Sequence, residues 1–361
     1  MQLQEKNGRR IIYLDVLRIA AAFAVIILHV ASQNWGNPDV SFYDWVGLDL
    51  WDAGVQWAVP VFIMISGALF LDRKKEINIK RLYLHNIFRI ITAFLCWSLI
   101  YAVWQVHVEG GGIPRIMALV LDGHYHMWFL FMIIALYMLT PLLKKLSDDE
   151  LKYLLILSLL LCFVLPTVRE LKDVIVSFCP NDTVNKTLNQ LFSPYNRVIV
   201  YFKPDYIAYY ILGYFLHNME LEKKQRRLIC IFSLMSFVFT VVFSAVVTYF
   251  RHAAYGIYDI FTVNMLLESV GVFVFFKQSA LRFQKMSDKK RSLIFKLSDC
   301  GFGIYLVHAL IIEILDVRFS VNSLKFMPVW WVPVLALAVF AISLAVIVPI
   351  KKIPKLSKYM V

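Results

Sequence analysis

Ten apolar runs, most of them about as long as a membrane-crossing helix, dominate the chain. They lie near 11–32, 52–71, 84–106, 127–143, 151–168, 204–218, 228–250, 257–276, 294–315 and 329–350. A helix needs about 20 apolar residues to cross the hydrocarbon core, and in lipid every backbone amide must be satisfied within its own segment. These two constraints leave one fold class, an all-α polytopic membrane helix bundle of about ten transmembrane helices. The chain is 60% hydrophobic and 17% charged, where soluble domains have roughly 45–50% and about 25%. The first run exceeds the apolar core of a signal peptide and carries charges, so it reads as a retained helix.

The basic residues set the orientation. With the amino terminus inside, the inner stretches are 1–10, 72–83, 144–150, 219–227, 277–293 and 351–361. Together with Lys152 they carry about 25 of the 37 Lys and Arg, against about nine outside. This asymmetry follows the positive-inside rule and places both termini in the cytoplasm. The net charge of +12 therefore points to anionic lipid head groups rather than to nucleic acid. A single integral-membrane domain over 1–361 is expected, with no appended soluble domain. The longest outer stretch, 169–203, reads as a loop with room for a short helix in TVNKTLNQLF. Of the five cysteines only Cys179 falls in an outer loop, so neither a disulfide framework nor a metal site is expected.

Polar residues inside the helices carry the functional information. In YLDVLRIAAAFAVIILHV (13–30), Asp15, Arg18, Ala22, Val25 and His29 follow 3, 4, 3, 4 spacing and share one helix face. Arg18 and His29 are eleven residues apart, roughly 16 Å of rise. Ionisable groups at this depth normally face a cavity or a polar partner. A local Asp15–Arg18 pair with His29 ending the helix at the interface is an equally open reading. Arg81, His85 and Arg89 recur every four residues beside Lys80, either as a phosphate-gripping stripe or as a positive-inside anchor. Ser298, Gly301, Tyr305 and His308 form a third face, and Glu268 lies one turn beyond Asn264 in the eighth run. Glu268 suits a structural hydrogen bond as well as a catalytic role.

The spacing of Arg18 and His29 resembles the first-helix signature of the bacterial membrane acyltransferase-3 family. VPVFIMISGALFL (59–71), HMWFLFMIIALYMLTP (126–141), YYILGYFL (209–216) and FGIYLVH (302–308) resemble four further stretches of that family, in its order and over nearly the whole chain. One position departs. The family often carries two arginines three apart at the start of the third helix; Arg89 fits the second, but Asn86 stands at the first. Arg81 and His85 are the neighbours able to replace that charge.

The resemblance implies transfer of an acyl group, most often acetyl, from cytoplasmic acetyl-CoA to a hydroxyl of an extracytoplasmic or lipid-linked glycan, at a bacterial cytoplasmic membrane. Arg18, Arg81, His85, Arg89 and Ser66 are then expected along the donor. His29 is expected as general base, or alternatively as a covalent acyl carrier. Asp15 lies too far down the helix to orient it, so Glu268, Glu313, Asp49 and Asp52 are candidate orienting acids. Tyr305 and His308 complete the expected catalytic set. His126, Trp128 and Asp52 are expected on the acceptor side, with His124, Tyr125, Asp205 and Tyr206 as further candidates. No tightly bound cofactor or metal is expected, and the oligomeric state is left open. A transporter or flippase of polar glycans is the alternative, with intramembrane charges lining a path; a sensing or scaffolding module is a more distant one.

Overall fold

The computed structural model describes residues 10–178, 181–201 and 203–361; Cys179 lies outside the described residues. Among the described residues ten helices build the bundle: α1 (Ile12–Ser32), α2 (Phe42–Phe70), α3 (Ile79–Glu109), α4 (Ile113–Leu143), α5 (Asp148–Phe178), α6 (Asp205–Asn218), α7 (Lys223–Arg251), α8 (Val263–Gln278), α9 (Asp288–Phe319) and α10 (Pro328–Lys352). Eight are long and apolar enough to cross a membrane. Helices α6 and α8 are shorter, at 14 and 16 residues, and are wedged among the others. The chain is a polytopic helical membrane protein.

Central α1 packs against α9, both halves of α2, α8 and α10. Its Leu17, Ala21, Ile26, Val30 and Ala31 are fully enclosed. The closest helix crossing joins α2 to α6, and two glycines make it possible. A Cβ on Gly67 would sit 1.8 Å from the Tyr210 carbonyl oxygen, and one on Gly213 would sit 2.0 Å from that of Met64. Without lipid–water contrast to drive helices together, such backbone-to-backbone packing supplies the attraction. It also explains two of the sequence stretches singled out above, VPVFIMISGALFL and YYILGYFL, as the two sides of one seam.

Both ends of the described chain meet at the same end of the bundle. Arg10 pairs with Asp15 and Asp299 at 2.7 and 2.9 Å. The carbonyl oxygens of Val361 and Met360 accept hydrogen bonds from Arg89 Nε and Trp97 Nε1 at 3.0 and 2.8 Å. The 72–78 and 144–147 loops share this end, where Arg73 bridges to Asp148 and Lys144 Nζ donates to the Asp72 carbonyl at 2.6 Å.

Several segments differ from the sequence expectation, among them the fourth span, which is preceded by a helix over Ile113–Asp122 where a loop was expected. The second span begins at Phe42 rather than near 52 and is interrupted at Gln56–Trp57; Ser41 caps it by accepting from Asp44 N, a start signal hidden among the acidic residues of the first outer loop. The stretch read as a 169–203 loop is largely helical, as the end of α5 and as a separate helix Asp182–Tyr201. Val184, Leu188, Leu191, Tyr195 and Val198 recur there at spacings of three and four, giving an amphipathic rather than a spanning helix. Finally, α8 begins at Val263 rather than 257, because Asn264 Nδ2 bonds the Ile257 carbonyl and holds the preceding segment in a turn.

Candidate functional site

Helix α1 presents its polar face to one cavity. At the inner end Asp15 is only 3% exposed, so its carboxylate requires partners. It receives Arg10 and Arg18, the latter at 3.2 Å, and the Ser298 hydroxyl from α9 at 2.6 Å. Arg18 also donates to Ser298 Oγ at 3.1 Å. The local Asp15–Arg18 pair thus exists, and it holds the guanidinium in place while Arg18 still lines the cavity.

The cavity encloses about 730 Å³, within the usual range for small-molecule sites. Arg18, Lys75, Arg81, Arg89 and Lys144 line it, against Glu76 and Asp299 as its acids. A π-helical turn, Leu82–Ile87, opens α3. His85 and Asn86 within this turn, and Arg81 and Arg89 on either side of it, all line the cavity. Lys144 is pushed below its ordinary pKa, first by burial and then by neighbouring Arg73 and Lys75, with Asp72 opposing. The wall between mouth and far end is formed by Val25, Leu28, Phe62, Ile65 and Ser66. Ser66 itself donates to the Phe62 carbonyl at 3.0 Å.

At the far end imidazoles gather. His29 Nδ1 lies 2.9 Å from the Val25 carbonyl and 3.1 Å from His308 Nε2. His308 Nδ1 lies 2.7 Å from the Tyr305 carbonyl. A carbonyl only accepts, so each imidazole places its proton on Nδ1. His308 Nε2 is then an acceptor facing the His29 Nδ1–H, and the lone pair of His29 is on Nε2. Both tautomers follow from this hydrogen-bond geometry.

The other rings come from α4. Gly123, at φ 77°, takes a backbone conformation open to glycine and ends the Ile113–Asp122 segment. The 3₁₀ turn that follows, Tyr125–Met127, tucks His124 and His126 into the bundle. Their Nδ1 atoms are 2.9 Å apart, and His124 Nε2 lies 2.7 Å from Glu313 Oε1 on α9. Tyr305 donates its hydroxyl to the His126 carbonyl at 2.5 Å.

A cationic mouth joined to a buried imidazole through a membrane bundle suits group transfer from an anionic donor. A family model described as an acyltransferase domain, acyltransferase 3, matches residues 11–348. The chain belongs to the acyltransferase-3 family. No match was found among curated proteins or among solved structures.

Within this membrane acyltransferase, nine of the residues singled out from sequence line the one cavity: Arg18, His29, Ser66, Arg81, His85, Arg89, His126, Trp128 and Tyr305. His308 joins them through His29. Glu268 and Asp52 do not. Glu268 is buried in the α7–α8 seam, where Thr240 Oγ1 donates to it at 3.2 Å. Thr240 in turn accepts from Asn264 Nδ2 at 2.9 Å, so Glu268 belongs to a structural polar network. Asp52 accepts from Gln56 at 3.3 Å and lies beside Asp49, which receives Trp35 and Tyr258. The groups that meet His29 Nδ1 are the Val25 carbonyl and the His308 imidazole.

Sequence reasoning missed Lys75, Lys144 and Tyr137 as cavity residues of the acyltransferase. The lysines lay in runs explained by the positive-inside rule, which reads every inner-loop cation alike. The Glu313–His124 pair was missed as a pair, since its members were named only for separate roles.

Proposed function

We propose that the protein is an O-acetyltransferase of a bacterial cytoplasmic membrane, taking acetyl groups from cytoplasmic acetyl-CoA and giving them to a hydroxyl of an extracytoplasmic or lipid-linked glycan. The observation that carries this reading is the continuity of the cavity from five cations to His29. The cations suit the phosphates of the donor, since guanidinium and ammonium groups bind phosphate through charge-assisted hydrogen bonds. The apolar stretch between them suits a slender arm, and it delivers a thioester to the imidazole end.

Here His29 acts as general base. Its Nδ1–H is held by the Val25 carbonyl and faces His308 Nε2, so Nε2 takes the proton of the acceptor hydroxyl as that oxygen attacks the thioester carbonyl. The C–S bond then breaks, and the departing thiolate recovers the proton from His29. One imidazole does both tasks near neutral pH, neutral when it takes the proton and protonated when it returns it. Trp128, which lines the same cavity, offers a ring face to a sugar.

Labelled acetyl-CoA and purified protein in lipid nanodiscs test this reading, with wild type beside His29→Ala. Binding by both, with turnover only in the wild type, supports it. A folded wild type that binds no acetyl-CoA yet moves glycans across a bilayer would replace it with the transporter reading.

A further inference from the structure

Residues 354–361 touch the mouth of the cavity from outside it. A short helix, Pro354–Met360, follows α10 and packs back against α10 and α3. Beyond it Val361 is only 2% exposed, filling a notch beside Gly303 of α9 and Ile347 of α10. A Cβ on Gly303 would stand 2.8 Å from both Val361 Cγ1 and Ile347 Cγ2, too close for carbon atoms, so a glycine is what leaves the notch open. Two donors on α3 hold the segment there. Trp97 Nε1 donates to the Met360 carbonyl at 2.8 Å, and Arg89 Nε donates to the Val361 carbonyl at 3.0 Å. The Arg89 guanidinium also stands 5.7 Å from the centre of the Phe302 ring, a cation–π distance. Arg89 and Phe302 both line the cavity, whereas Val361 and Met360 do not.

We infer that residues 354–361 form a strap that positions Arg89 for a phosphate of the donor, so that part of the donor grip is set from outside the cavity. This rests on the reading of the cationic mouth as the phosphate site and deepens it. A guanidinium carries five N–H donors in one rigid plane. The Val361 carbonyl engages Nε and Phe302 lies beside the cation, which together fix the plane and leave the paired Nη donors for an anion. Paired donors of this kind bind a phosphate through two parallel hydrogen bonds. A long side chain ordered before binding loses less conformational freedom when the ligand arrives. The strap therefore acts on donor affinity, through Arg89. Met360 and Val361 are positioning residues, and neither touches the reacting atoms.

Equilibrium titration of labelled acetyl-CoA into the full chain in nanodiscs tests the inference, with thermal unfolding to show that each variant is folded. Gly303→Val fills the notch from α9, and Val361→Trp makes the strap too bulky to enter it. Each should weaken acetyl-CoA binding about 3- to 10-fold, the reach of one net hydrogen bond. Neither should alter the single-turnover transfer rate at saturating donor. Arg89→Ala should weaken binding more, about 10- to 100-fold, as the loss of a charge-assisted contact does. Added to Arg89→Ala, either strap variant should produce no further loss, since residues that act through one another are not additive. Wild-type affinity in either strap variant overturns the inference, and so do losses that multiply with that of Arg89→Ala. A fall in the saturated rate overturns it too, because disturbed packing rather than a positioned cation would then explain both effects. Failure of the broader reading looks different: a folded wild type that binds no acetyl-CoA removes the donor reading itself, whereas normal wild-type binding with an indifferent strap removes only the inference.

Discussion

Helices α1 and α7 are both apolar enough to cross a membrane, yet 61% of the most apolar stretch of α1 is buried in protein and only 17% of that of α7. Hydropathy does not separate them; the placement of polar groups does. Helix α1 carries Asp15, Arg18 and His29 along a face that meets α9 and the cavity. Helix α7 confines its charges to its ends, and Leu234, Val238, Phe239 and Val242 point outward. Its buried polar residues, Ser236, Thr240, Ser244 and Thr248, are hydroxyls that serve the seam with α8 and the segment before it. A membrane helix that keeps ionisable groups at depth must surround them with protein or water, whereas one that keeps only hydroxyls can face lipid over most of its surface.

Substitutions at four positions would break or sharpen this comparison. His29→Ala should lower acetyl transfer by roughly 10²- to 10⁴-fold, the usual contribution of a positioned base, with acetyl-CoA binding retained; equilibrium binding alongside single-turnover rates measures both. Next is Arg18→Ala, which removes a charge-assisted contact worth roughly 1.5–3 kcal/mol. Acetyl-CoA binding should weaken about 10- to 100-fold, read by titration with labelled donor, and unaltered affinity would separate Arg18 from the donor. On α7, Thr240→Val should act on stability, by about 1–3 kcal/mol, because Glu268 and Asn264 each lose a partner in a buried seam. Thermal unfolding in detergent measures that, while the transfer rate per folded molecule should stay near wild type. The smallest effect is expected from Val238→Leu on the lipid-facing side, within about 0.5 kcal/mol and with normal transfer. A large loss there would show that α7 also meets a partner.

The same contrast explains what the sequence disclosed. Spans were legible because run length and inner-loop cations are local properties. The cavity face of α1 was legible because a periodicity of three and four with charges at depth has few uses. The Asp182–Tyr201 helix was obscured by its Asn, Thr and Lys content, which mimics a loop until the apolar positions are read at helical spacing. Glu268 shows the limit on the site side, since a costly buried acid has the same sequence signature whether it lines a cavity or ties two helices together. The contacts among Glu313, His124 and His126 depend on the end of a helix at Gly123 and on which turn of α9 faces α4. Neither is written in one segment.

The Gly67–Gly213 contact also bears on how the molecule moves. Where backbones touch without side chains between them, neither helix can slide past the other without collision, so α2 and α6 behave as one rigid jaw. Phe62, Ser66 and Phe70 line the cavity from that jaw. The rest of the mouth is lined from the loop that follows α2 and from the start of α3 around its π-helical turn at Leu82–Ile87. Lys75, Arg81 and Arg89 stand there, so the part of the mouth that lies outside the jaw carries three of the cations assigned above to the proposed donor.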